Sequence, residues 1–108
     1  MRPAILTLLA IVALAAPSGK QTFAGIITDS MCDNGDHSHM RMGPTDAECT
    51  TACVRLHDAM YVLYDGKVAY TLSDQKAPEK FAGKMVTVSG TLDAKTKTIQ
   101  VDSITPAK

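Results

Sequence analysis

Between Asp29 and His57 the chain carries all of its cysteines (Cys32, Cys49, Cys53) and all of its histidines (His37, His39, His57), with Met31, Met40 and Met42 from a total of 6 methionines. Thiolate, imidazole and thioether are the side chains that bind soft and borderline metal ions. Their concentration in one stretch points to a metal centre. Three thiolates and one imidazole form a Cys3His set, a common ligand set for structural zinc. His39, Met40 and Met42 supply softer donors that suit copper(I). The expected cofactor is therefore zinc or copper(I), and the spacing does not choose between them. For the imidazole, helix geometry favours His57, whereas the local clustering of His with Met favours His37 or His39. The expected ligand is His37 or His39, with His57 in reserve.

Two other readings compete. An exported chain with 3 cysteines has one thiol too many for disulfides alone. A Cys49–Cys53 or Cys32–Cys49 bridge with one free thiol would make the chain a non-catalytic OB-fold binding module stapled by a disulfide. A three-thiolate site explains the odd count more economically. A thiol redox enzyme fits less well: the pair is C-x3-C and lies inside a helix, not at an N-terminus where a thiolate would be stabilised. No Ser-His-Asp pattern, phosphate loop or H-E-x-x-H occurs, so no catalytic role is assigned.

The elements that would position these side chains are legible around them. T-F-A-G-I-I-T-D at 22–29 reads as a first strand, with Gly25 marking a bulge or a close approach. Asp33-Asn34-Gly35-Asp36 is turn chemistry. Thr45 and Glu48 form a capping box behind Pro44, so a helix begins at Asp46 and runs to about His57. Cys49, Cys53 and His57 are then spaced i, i+4, i+8 and share one helix face. From Met60 the pattern turns to β: M-Y-V-L-Y, an Asp65-Gly66 turn and K-V-A-Y-T-L form a hairpin. A short helix is expected between Ser73 and Ala82, stopping at Gly83. Strands follow at 84–92 and 98–104, the last with a phase slip between Val101 and Ile104, and Pro106 ends it. Five strands with a helix between the third and fourth describe a small OB-like barrel, mainly β, with residues 29–58 as a Cys/His/Met-rich loop-helix insertion.

The chain has 108 residues, enough for a single domain. Arg2 is followed by an apolar run ending in small residues, the pattern of a secretory signal peptide. Residues 1–19 are assigned to it, with cleavage at about 15–19, and 20–108 to the domain. The run is short for a bilayer, so no membrane association is expected after cleavage, and the location is periplasmic or extracellular. With 2 Phe, 3 Tyr and no Trp, the core must be largely aliphatic. The segment from Asp29 to Asp58 holds six acids against Arg41 and Arg55, while Met60 onward holds seven lysines against five acids. An acidic segment rich in sulfur and nitrogen donors suits a cation as its partner. Nucleic acid, which needs a basic surface with exposed aromatics, is excluded as a partner. No protein partner is indicated.

At I-T-D-S-M-C (27–32), H-M-R-M-G-P-T-D-A-E-C-T-T-A-C-V (39–54), Y-V-L (61–63) and L-S-D-Q (72–75) the chain resembles a small family of exported bacterial domains of unknown function. The resemblance spans about Phe23 to Ile104. It implies an extracytoplasmic OB-like domain and singles out Cys32, Cys49 and Cys53, with no catalytic assignment. Relatives often carry Gly where this chain has Asp58, at the expected helix end.

Overall fold

The computed structural model describes residues 19–107; the expected signal peptide lies outside the described residues, apart from its last position. Five strands form the fold: β1 (Gln21–Asp29), β2 (Tyr61–Tyr64), β3 (Ala69–Leu72), β4 (Met85–Asp93) and β5 (Thr98–Pro106). They close into a barrel in the order β1-β2-β3-β5-β4, with β4 returning to pair with β1. Every neighbouring pair is antiparallel except β3 and β5, which run parallel through Thr71↔Thr98 and Leu72↔Ile99. This is the small OB-like architecture expected from the sequence. The helix α1 (Asp46–His57) sits in the connection between β1 and β2.

Alternation of apolar side chains builds the interior. Ile27, Tyr61, Leu63, Leu72, Val86, Val88 and Ile99 are buried together, and Phe23, Val54 and Leu92 pack against them from the periphery. Gly25 is a close approach: a Cβ there would lie 2.4 Å from the Tyr64 carbonyl oxygen, so only glycine lets β1 and β2 pair at this point. The expected phase slip in β5 is a bulge. Ser89 faces Ser103 and Gly90 faces Val101, leaving Asp102 as the extra residue.

Three elements differ from expectation by more than one residue. The short helix before Gly83 is a 3-10 turn, Ala77–Phe81; Pro78 suits its start but a run this short does not settle into α geometry. The third strand begins at Ala69, because the Asp65 carboxylate takes the Lys67 and Val68 N–H groups and holds both in the turn. Strand β5 continues through Pro106, which pairs with Val86 at the very end of the ladder, where a missing N–H costs little.

Candidate metal centre

Alternation fails at the end of β1. Ile27, Thr28 and Asp29 are all buried, because the insertion covers this end of the strand. The chain leaves β1 through a tight turn held by Asp29. Its Oδ1 accepts the N–H groups of Met31 and Cys32, both at 3.0 Å, and Cys32 O accepts from Gly35 N at 2.9 Å. Two further Asx contacts, Asp36 N to Asn34 Oδ1 and Ser38 N to Asp36 Oδ1, carry the loop round His37. Gly43 then lets the loop pass over the helix start, where a Cβ would sit 2.8 Å from Glu48 Cβ. The capping box is present on the Thr45 side: Glu48 N donates to Thr45 Oγ1 at 3.1 Å. So anchored, α1 turns Cys49, Thr50 and Cys53 inward.

These pieces converge. Asp29, Cys32 and His37 each place a ligand atom within 4.8 Å of the others, and all three residues are buried. His37 Nδ1 lies 3.2 Å from Cys49 Sγ. Cys32, Cys49 and Cys53 are free and buried. The Cys49 sulfur accepts from Met42 N–H at 3.3 Å and donates to Met40 O at 3.3 Å. Met42 packs with Ala59 and Val54 around Cys49 and Cys53, a second small cluster separate from the barrel core.

Electrostatics show burial and the carboxylate acting on the thiols. Burial, and then the Asp29 carboxylate and Cys49, push the Cys32 thiol above its usual range. The same causes, with Cys32 added, push Cys53 up to about 12. A buried anion beside thiols discourages further negative charge unless a cation is present. The Asp29 Oδ2 atom is buried with no hydrogen-bond partner, an expensive condition for a carboxylate oxygen.

Of the sequence-nominated ligands, the fold brings together Cys32, Cys49, Cys53 and His37, with Met42 packed against the thiols. The other three stand apart. His39 has a side chain 90% exposed, its ring 4.0 Å from the Asp36 carboxylate. The Met40 side chain is exposed, and only its carbonyl reaches Cys49. His57 is exposed in the last turn of α1. The adjacent Leu56 is 71% exposed as well, so the last turn of α1 lies in solvent. Shared helix face is thus not shared burial. In the sequence Asp29 reads as a strand terminator; the signal that it reaches the site is the D-x-x-C spacing to Cys32, since an Asx turn brings the carboxylate to the residue three on.

The cluster is a set of soft and borderline donors with one harder oxygen, which can bind a metal ion. Compared with known proteins, the chain matches no family model, no curated protein and no solved structure.

Proposed function

We propose that this protein is a small exported metal-binding domain whose ion is held by Cys32, Cys49, Cys53 and His37, with Asp29 as a further oxygen donor within reach. The observation that carries the reading is Asp29 Oδ2, buried without a partner beside three free thiols and a buried imidazole. A cation would offset that charge and would lower the thiol pKa values that burial raises. Zinc suits the donors best: thiolate, imidazole and carboxylate are all ordinary zinc ligands, and a closed site of this kind is structural. The ion would pin the long loop to α1 and so staple a small domain. Copper(I) is the second reading, favoured by Met42 against the thiols. Export is supported by the charged and apolar start of the chain, and the resemblance to exported domains points the same way.

Elemental analysis of protein exported to a bacterial periplasm and purified without chelator tests this. The expected result is one zinc per chain and three thiols titratable after anaerobic unfolding in chelator. One copper in place of zinc selects the second reading. No metal, with a single titratable thiol, overturns both in favour of a disulfide-stapled module.

A further inference from the structure

We propose that Cys32 and Cys49 are a disulfide-forming pair, with Cys53 kept as the free thiol, so that the insertion is stapled either by the ion or by a covalent bond. The exchange of one staple for the other rests on the function proposed above; the pairing itself does not.

All three cysteines are free and buried. The Cys49 sulfur is within hydrogen-bonding reach of both others, whereas Cys32 acts on Cys53 only through its charge. Contact therefore allows two bridges, and helix geometry removes one. Cys49 and Cys53 are four apart inside α1, which runs unbroken from Asp46 to His57. At that spacing the Cβ atoms stand about 5–6 Å apart, whereas a disulfide needs about 3.5–4.5 Å. Closing the gap would distort a helix held at both ends, by Thr45 Oγ1 on Glu48 N and by the Cys53 carbonyl on the Asp58 and Ala59 N–H groups. Cys32 comes from another element, the turn that leaves β1. The His37 ring touches both partners: Nδ1 is 3.2 Å from Cys49 Sγ, and a ring nitrogen is within 4.8 Å of the Cys32 sulfur. A bridge between the turn and the helix lets the two approach as bodies, with no helical hydrogen bond lost.

The oxidant suited to an exported protein is a small-molecule disulfide. In the metal-free protein Cys32, 5% exposed where Cys49 and Cys53 have no exposed surface, reacts first. Its sulfur attacks the small molecule. A mixed S–S bond forms, the small molecule's own S–S bond breaks, and one half leaves as a thiol with the Cys32 proton. The Cys49 sulfur then attacks Cys32. The Cys32–Cys49 bond forms, the mixed bond breaks, and the second half leaves as a thiol with the Cys49 proton. Two electrons pass from the two protein sulfurs to the small molecule. An ion deprived of two thiolates loses most of its donor set and is released. The new bond joins the same turn to the same helix, so the staple survives the loss of the ion.

The test incubates zinc-loaded and zinc-stripped protein with glutathione disulfide, blocks the remaining thiols in denaturant and maps the bridge by trypsin digestion and mass spectrometry. Cleavage after Lys20, Arg41 and Arg55 leaves Cys32 on one peptide and Cys49 with Cys53 on the next. The two peptides should be linked through Cys32 and Cys49, with the blocking group on Cys53. Loaded protein should release one zinc for each bridge formed. Oxidised zinc-free protein should melt several degrees above the reduced zinc-free form, and Cys53→Ser should form the same bridge. A Cys49–Cys53 bond within one peptide, a bridge through Cys53, or three thiols still free overturns the pairing in the unsubstituted protein, even if Cys53→Ser fails to fold. Zinc retained in bridged protein overturns the exchange. Protein that binds no zinc yet joins Cys32 to Cys49 upholds the pairing and removes the metal reading instead.

Discussion

Substituting Asp29 by asparagine should act in opposite directions on the two states of the protein. Asparagine keeps an oxygen for the Met31 and Cys32 N–H groups, so the turn is preserved. It removes a buried charge that has an unpartnered oxygen. The metal-free protein should therefore become more stable, because an uncompensated buried anion is destabilising. Metal affinity should fall by about 10–100-fold, as for loss of other close partners of a bound ion. Chemical denaturation in chelator and metal titration of the same variant read the two effects; a loss in both would mean that Asp29 serves the turn alone.

The thiols predict a pH dependence for the metal-free form. Cys53 is raised from 9.0 to about 12, and Cys32 is raised in the same direction, by burial first and the Asp29 charge next. Between pH 9 and pH 12 the unfolded chain has released thiol protons that the folded chain still holds. Stability is then fully present below pH 9 and falls as pH rises through that window. The urea midpoint in chelator should drop as pH rises above about 9 toward about 12, and Cys53→Ala should flatten that drop. With metal bound the thiols are already deprotonated, and the same rise in pH should have little effect.

At the scale of elements, α1 is governed by its two ends. Thr45→Ala removes the hydroxyl that accepts from Glu48 N and should cost about 1 kcal/mol. At the other end Asp58 closes the helix in the left-handed region, φ 58°, with its N–H on the Cys53 carbonyl. Aspartate tolerates this conformation less well than glycine, so Asp58→Gly should raise stability by about 0.5–1 kcal/mol. Thermal melts of the two variants should shift in opposite directions. These local signals were also the ones most legible beforehand. The capping box, the Asp-Gly hairpin and the β5 phase slip each have a cause within a few residues, and each is present, with the third strand starting two residues late and the fifth ending two residues late. Periodicity likewise put Cys49 and Cys53 on one inward face. It failed for His57 because it gives a residue's direction around the helix and says nothing of where the cover ends. The choice of His37 over His39 depends on Asx turns in an aperiodic loop, and the role of Asp29 on burial, which only the assembled barrel provides.

The whole molecule has two cores of different origin. The barrel interior is closed by strand pairing all the way round and contains none of the cysteines. The second cluster is built from Cys49, Cys53 and Ala59, with Met42 and Val54 at its edge. It is small, and its polar neighbours include a charged carboxylate. Apolar burial there is modest, so much of the cohesion of the insertion should come from the ion. The insertion is also bounded by the barrel: Asp29 pairs with Tyr61, and Ser30 N reaches Met60 O at 2.9 Å, so the β1–β2 ladder closes beneath it. Metal removal should therefore loosen residues 30–58 while the barrel persists. Native-state amide exchange provides the measurement. On chelation, protection should fall in α1 and in the loop carrying His37, while the amides of β4 and β5 keep theirs. Cys32→Ala should reproduce that pattern without chelator and lower stability by several kcal/mol, as loss of a staple does in a small domain. Equal loss of protection in β4 and β5 would mean instead that the two cores fold as one cooperative unit, with the ion holding the barrel as well as the insertion.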